Sequence, residues 1–145
     1  MMIVRTTRFG KVEVLPEDLI QFQEGLLGLE DCRQWVLLAD GQNDALGWMQ
    51  STTRAEVALA VVSPRRFITD YQLRVYRREL NGLDLPKPDD AQVLVIVSKN
   101  EQGITLNLKA PIVMNLDRRL GRQVIANGEE PLQFELGRPA LRKSA

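Results

Sequence analysis

The chain has 145 residues, a length typical of one domain with its own hydrophobic core, and 44% of them are hydrophobic. Its 19 Lys and Arg residues balance 19 Asp and Glu residues, so no net charge draws it toward nucleic acid or an anionic membrane. The absence of histidine and the single cysteine argue against an imidazole or thiolate metal site and exclude a Ser-His or Cys-His nucleophile pair. We therefore expect no cofactor and no enzymatic activity.

The composition also indicates where the protein works. The one cysteine, Cys32, cannot form an internal disulfide, which fits a reducing compartment. No apolar run approaches the ~20 residues that span a bilayer, and the first residues lack the apolar core of a signal peptide. We expect a cytoplasmic protein without a membrane partner.

Short β-rich runs separated by turn residues follow one another along the chain. Ile3–Val4 and Lys11–Leu15 flank Phe9-Gly10 and predict a hairpin. Further runs are Leu19–Phe22, Gln34–Asp40, Ala45–Ser51, Glu56–Pro64, Ala91–Ser98, Ile104–Leu108 and Ile112–Asn115. Residues 65–80 interrupt this pattern and predict short helical turns with an extended piece.

About nine short strands at close spacing predict a mainly β fold. We expect a small antiparallel β-barrel-like or sandwich domain with short helical turns. The single domain is placed at residues 1–130. Residues 137–145 are mostly small and basic, and residues 131–145 are expected to form a C-terminal tail that is partly flexible.

The stretch from residue 104 to residue 125 is broken at Ala110-Pro111. Proline has no N–H for a strand ladder, so Pro111 predicts an edge, a bulge or a corner. Asn107 and Asn115 are expected to bond the backbone groups that the bend leaves unpaired. The alternative is that the bend leaves an open strand edge to which a partner adds a strand or helix.

A basic and aromatic cluster lies between residues 65 and 78. It consists of Arg65, Arg66, Arg74, Arg77 and Arg78 with Phe67, Tyr71 and Tyr76. Arginine with aromatic residues on a small β domain is typical of a single-strand nucleic-acid binder. We favour the alternative, in which the arginine stems cover apolar surface while the aromatic rings point inward.

Five segments occur in a distinctive order. They are "FQEGLLGLE" (22–30), "LGWMQS" (46–51), "VVSPRRFITDY" (61–71), "ITLNLKAPIVMN" (104–115) and "GRQVI" (121–125). In this order they resemble the FliW family of flagellar assembly factors, and N-L-x-A-P-I-V-x-N is the most specific motif among them. The resemblance runs from Arg8 to Ile125, and Leu29 departs from it because the family more often has an aromatic residue there.

The resemblance implies a non-enzymatic regulator with a β-barrel-like fold. Proteins of the family bind flagellin and the carbon storage regulator CsrA, a small dimeric RNA-binding repressor of translation. Plentiful flagellin occupies the factor, and the free repressor blocks flagellin translation. When flagellin is exported, the released factor binds the repressor and lifts the block. The main alternative is a small nucleic-acid-binding β-barrel that uses the cluster Arg65–Arg78, whereas the regulator is not expected to bind nucleic acid directly.

Candidate partner-binding residues follow from the chemistry of the two partners. The repressor must be basic where it holds RNA, so its complement is acidic: Glu24, Glu30, Asp31, Asp70, Asp84, Asp89 and Asp90. Flagellin's assembly segments are amphipathic helices that need an apolar groove, for which the candidates are Phe22, Leu26, Leu27, Leu29 and Trp48. The alternative for these apolar residues is that all of them belong to the core. The bend adds Asn107, Pro111 and Asn115 to the candidates.

Overall fold

The computed structural model describes residues 1–136, which form strands and 3-10 turns without an α-helix. The strands are β1 (Met2–Thr6), β2 (Gly10–Val14), β3 (Leu19–Phe22), β4 (Gln34–Ala39), β5 (Leu46–Ser51), β6 (Ala58–Val62), β7 (Gln92–Asn100), β8 (Gly103–Leu106), β9 (Ile112–Asn115), β10 (Leu120–Gln123) and β11 (Phe134–Glu135). The 3-10 turns are Pro16–Asp18, Pro64–Arg66, Arg77–Leu80 and Pro88–Asp90. Within residues 1–136, no helix has the length and apolar character needed to cross a membrane.

Seven of these strands close into a barrel. They pair in the order β7-β6-β5-β4-β3-β10-β9, and β9 pairs back to β7 to complete the ring. This confirms the predicted mainly β, barrel-like class. One pair differs from the antiparallel expectation, because β3 and β10 run parallel. These two strands are distant in sequence, so no tight hairpin imposes an antiparallel arrangement on them.

The remaining strands lie beside the barrel. β8 pairs with β7, and β11 pairs with β8 at Leu106 and Thr105. β11 lies within the predicted tail, so Phe134 and Glu135 of that tail take part in the sheet, whereas residues 137–145 lie outside the described residues. The hairpin of β1 and β2 covers the outside of β4, where Val4 and Val14 pack with Val36.

Inward-facing residues of the barrel strands form the main core, since alternate side chains of a strand point to one face. The core includes Ile20, Phe22, Trp35, Met49, Val61, Ile112 and Met114. The Phe22 and Trp35 rings meet edge to face with centroids 6.4 Å apart. The Trp35 Nε1–H donates to the carbonyl oxygen of Cys32 at 2.8 Å. Side chains thus fill the barrel interior, and a partner must bind on the outer surface.

Residues 63–91, which we call the strap, connect β6 to β7 across the outside of the barrel. Ile68 and Tyr71 of the strap pack against the cluster that contains Val95. Leu73 and Val75, together with other strap residues, cover an outer face that includes residues 113 and 124. The strap contains three 3-10 turns, and the first two, Pro64–Arg66 and Arg77–Leu80, confirm the helical turns predicted for residues 65–80.

Candidate partner-binding surface

The bend at Pro111 is held by Asn107. The Oδ1 atom of Asn107 accepts hydrogen bonds from the backbone N–H groups of Lys109 and Ala110, at 3.1 and 3.0 Å. β9, which follows Pro111, pairs with β10 on one side and with β7 on the other. The open edge of the alternative hypothesis therefore does not form at β9.

Asn115 at the end of β9 fastens the strap to the barrel. Its side chain is buried, and its Nδ2–H group donates to the carbonyl oxygens of Leu83 (2.8 Å) and Asp84 (3.1 Å). Its Oδ1 atom accepts from the backbone N–H of Arg118 at 3.2 Å. Asn107 thus bonds the backbone of the bend as predicted, whereas Asn115 bonds the strap and Arg118 instead of the bend. Contact of either asparagine with a partner stays a prediction.

The acidic candidates are all exposed, and they are spread over several loops. Asp31 lies 3.6 Å from the Arg54 guanidinium, and Glu24 lies 3.5 Å from that of Arg122. Glu30 accepts the backbone N–H of Gly28 at 3.1 Å. The other four belong to the strap: Asp70, Asp84, Asp89 and Asp90. Among the described residues, no group of three or more carboxylate or thiol side chains is arranged to hold a metal ion.

The apolar candidates do not line one groove. Phe22 and Leu26 are buried in the barrel core, so the surface role predicted for them is wrong and the core alternative holds. Leu27 is 60% exposed at the tip of a tight turn, in which the backbones of Leu26 and Leu29 bond each other. Leu29 is half-buried behind that turn and stays a candidate contact.

Trp48 is fixed on a different part of the surface by three contacts. The Arg8 guanidinium lies 4.3 Å from the centroid of its ring, and the Phe9 ring packs edge to face at 5.8 Å. Its Nε1–H donates to Asp40 Oδ1 at 2.9 Å. This hydrogen bond, with the backbone N–H groups of Gln42 and Asn43, lowers the pKa of the Asp40 carboxyl. Trp48 is half-buried and accessible to a partner.

We expect Asp40→Asn to make the protein less sensitive to acid. The folded pKa of Asp40 lies below its ordinary value of 3.8, so its stabilising effect is present above that pH and is lost as the pH falls through the folded pKa. The variant should have a lower Tm at pH 7 and a smaller drop in Tm below pH about 4. Thermal unfolding followed by tryptophan fluorescence measures both effects, with the exposed Asp44→Asn as control. Parallel Tm profiles for Asp40→Asn and the wild type would contradict the prediction.

A groove of about 850 Å³ lies on the strap, between residues 72–81 and 85–93. Its apolar walls include Leu73, Val75, Leu80, Leu85 and Val93. Its polar rim includes Arg65, Arg77 and Asp89. The volume is that of a typical ligand site of roughly 300–1,000 Å³. Asp89 is the one partner-binding candidate that lines this groove, and Arg65 and Arg77 of the basic and aromatic cluster line it as well. The signal that could have located it is the alternation of half-buried Leu73 and Val75 with exposed neighbours.

A family model described as "FliW protein" matches residues 3–136. The chain belongs to the FliW family. The flagellar assembly factor FliW of Natranaerobius thermophilus is 34% identical over 127 residues, which cover 86% of this chain and 84% of that protein. That of Bdellovibrio bacteriovorus is 37% identical over 126 residues, which cover 86% of this chain and 72% of that protein. A crystal structure of the flagellar assembly factor FliW superposes with a TM-score of 0.86 at 26% identity, over 94% of this chain and 98% of the other.

Membership in the FliW family confirms the resemblance found in the sequence and the predicted non-enzymatic class. FliW proteins are flagellar assembly factors. The most specific FliW motif of this chain, residues 107–115, coincides with the bend and β9. Its two asparagines hold backbone turns and the strap, so the motif has a structural role here.

Proposed function

We propose that this FliW-family protein works in the cytoplasm and alternately binds flagellin and the repressor CsrA, so that the supply of flagellin controls flagellin translation. The observation that supports this most strongly is the family match over residues 3–136, nearly the whole described domain. The partners themselves come from the family resemblance. The absence of a net charge agrees with regulation through proteins rather than through direct nucleic-acid binding.

For the repressor, we propose contacts at the acidic part of the strap. Asp84, Asp89 and Asp90 are exposed and close in sequence, and Lys87 is the only cation among residues 84–90. A basic RNA-binding surface would be attracted to these carboxylates, mainly by faster association. Glu24, Glu30, Asp31 and Asp70 are further candidates at the periphery of this contact.

For flagellin, we propose contacts at the turn of residues 26–29 and at Trp48. Leu27 presents an apolar side chain to solvent, and its backbone N–H donates to Gln123 Oε1 at 2.8 Å, which holds the turn against the barrel. A turn held in this way offers a preorganised apolar contact for an amphipathic helix. Amide exchange in the complex should show protection at this turn.

Competition between the two partners for this protein is sufficient to produce the switch. If the two partners exclude each other, flagellin at about one hundred times its Kd weakens apparent repressor binding about a hundredfold, or about 2.7 kcal/mol. If the two sites are separate, the coupling is reciprocal and a conformational element must carry it.

The deciding experiment uses purified flagellin and CsrA encoded in the same genome as this chain, with all proteins treated with RNase. Calorimetric titrations measure the Kd of each partner alone and then that of CsrA in the presence of saturating flagellin. We expect both partners to bind and flagellin to weaken CsrA binding. Binding of neither partner would refute the proposed function, and equal CsrA affinity with and without flagellin would refute the switch.

Neutralising the acidic strap tests the repressor surface. We expect the triple variant Asp84→Asn, Asp89→Asn, Asp90→Asn to slow CsrA association about tenfold at low salt, because electrostatic steering is lost. Its flagellin affinity should be unchanged. The matched control neutralises three exposed acidic residues outside the strap: Glu13, Glu17 and Asp44. Association kinetics measured at low and high salt would contradict the assignment if wild type and triple variant behaved alike.

A further inference from the structure

Residues 72–76 of the strap belong to no strand or turn of the fold, but exposed and half-buried residues alternate along them as they do in an extended segment. In the described part of the chain, the backbone N–H groups of these five residues make no hydrogen bond. Two of their carbonyl groups are bonded, those of Arg74 (to Asn127 N–H) and Tyr76 (to Glu79 N–H). Unpaired N–H and C=O groups along an extended segment are a template for pairing with another strand.

The direction of these free groups follows from strand geometry. The N–H and C=O of one residue in an extended strand point to the same side, and successive residues alternate between sides. Since the Arg74 carbonyl points toward Asn127, the backbone groups of Leu73 and Val75 point the opposite way. Leu73 and Val75 also line the groove, so their free backbone groups lie beside it.

The groove has the chemistry of a peptide site. Leu80, Leu85 and Val93 supply apolar walls, which suit the side chains on one face of a strand. The rim carries Arg65 and Arg77, and none of the ion pairs among residues 1–136 involves either arginine. The rim also carries the carboxylate of Asp89, so the two arginines leave it with a net positive charge, whose complement is a carboxylate.

We propose that the strap binds an extended segment of a partner protein by β-strand addition along residues 72–76. The segment carries apolar side chains at alternate positions, which enter the groove, and acidic side chains that meet Arg65 and Arg77. At ~3.3 Å per residue, the edge offers about 17 Å of pairing. This inference rests on the groove itself and does not depend on the identity of the partners proposed above.

The same arginines attract single-stranded RNA, but the groove favours a peptide. The Arg78 guanidinium lies 4.6 Å from the centroid of the Tyr76 ring and covers one of its faces, leaving less of the ring for base stacking. The walls near the rim are aliphatic, and stacking of bases requires aromatic or guanidinium planes.

A synthetic probe tests the proposal on the full chain. The probe is the fluorescein-labelled peptide Glu-Val-Thr-Val-Thr-Val-Thr-Glu, with binding followed by fluorescence anisotropy. We expect saturable binding. Two N-methylated versions of the peptide are compared, one methylated at its odd-numbered residues and one at its even-numbered residues. One of them should bind at least about tenfold more weakly, because strand pairing uses the N–H groups of alternate residues. The other N-methylated version should keep an affinity within about twofold of that of the unmethylated peptide.

A second test reverses the charge of the two rim arginines and measures the change in peptide affinity. The variant Arg65→Glu, Arg77→Glu should weaken binding of this peptide about tenfold and strengthen binding of a peptide with lysine in place of both glutamates. The matched control is Arg5→Glu, Arg33→Glu, which reverses two exposed arginines outside the strap and should change neither affinity.

Three results would overturn the proposal. They are no peptide binding, equal effects of the two N-methylation patterns, and indifference to the reversal of Arg65 and Arg77. A fourth is binding of a uridine dodecamer that is tighter than that of the peptide and depends on the same two arginines, which would assign the surface to RNA.

Discussion

Replacement of Gly121 by alanine is expected to lower the free energy of unfolding by about 3 kcal/mol. Gly121 lies on β10 beside Phe22 of β3, in the parallel pair of the barrel. An added methyl group would lie 2.8 Å from Cε2 of the Phe22 ring and closer still to Cζ and Cε1. The ring is fully buried and packs edge to face on Trp35, so moving it away from the methyl group would disturb the packing of the core. Urea unfolding followed by circular dichroism measures the loss.

Gly47→Ala is the matched control for this prediction. Gly47 also lies on a barrel strand, β5, but an added methyl group would meet its nearest neighbour, Leu37 Cδ1, at 3.5 Å, an ordinary contact. We expect a change within about 1 kcal/mol, since alanine costs less backbone entropy than glycine in a strand. In the double variant Gly121→Ala, Phe22→Leu, the loss should be smaller than the sum of the two single losses. Equal stability of Gly121→Ala and Gly47→Ala would show that the Phe22 ring does not fill this space.

Replacement of Asn115 by alanine is expected to cost about 2–3 kcal/mol, because it leaves buried carbonyl groups without a donor. The lost bonds are those to Leu83 and Asp84 in the strap and that from Arg118. Since Asn115 ties the strap to β9, amide exchange should also accelerate in the strap around Leu83. Urea unfolding and hydrogen exchange measure the two effects.

Replacing each asparagine by aspartate distinguishes a side chain that only accepts hydrogen bonds from one that must also donate them, through the loss of stability in each variant. Among residues 1–136, the Asn107 side chain bonds only through its oxygen, which accepts two backbone N–H groups. Asn107→Asp should therefore change stability by less than about 1 kcal/mol. Asn115 donates through its nitrogen to two carbonyls, so Asn115→Asp loses both bonds and buries a charge near them. We expect Asn115→Asp to be at least as damaging as Asn115→Ala. Equal losses for both aspartate variants would contradict these assignments.

The variant Asn107→Ala tests whether Asn107 stabilises the fold or contacts a partner, because its Tm and its partner affinity can be measured separately. If Asn107 serves only the bend, the variant has a lower Tm and, while folded, keeps its affinity for both proposed partners. Loss of affinity without a change in Tm would assign Asn107 to a partner contact. The paired edges of β9 support the first outcome.

Local patterns in the sequence were sufficient for the element type, the chemical class and the family. Alternating apolar residues identify strands such as β8 because the side chains of a strand alternate between faces. Pro111 predicts a bend and Asn107 predicts bonds to its backbone, because proline lacks a donor and the amide oxygen of asparagine is an acceptor. Each of these inferences depends only on residues close together in the chain.

Only the tertiary structure decided which surfaces remain open. Phe22 at the end of β3 and Leu26 in the following loop are both buried, because closure of the barrel brings residues of other strands, such as Trp35 and Met114, into one core with them. The parallel β3–β10 pair and the closure of β9 on β7 join strands that are distant in sequence. The groove at Leu73 and Val75 likewise forms where the strap crosses the barrel. Periodicity indicates which residues of a strand share a face, whereas the covering of that face depends on long-range pairing that no local pattern encodes.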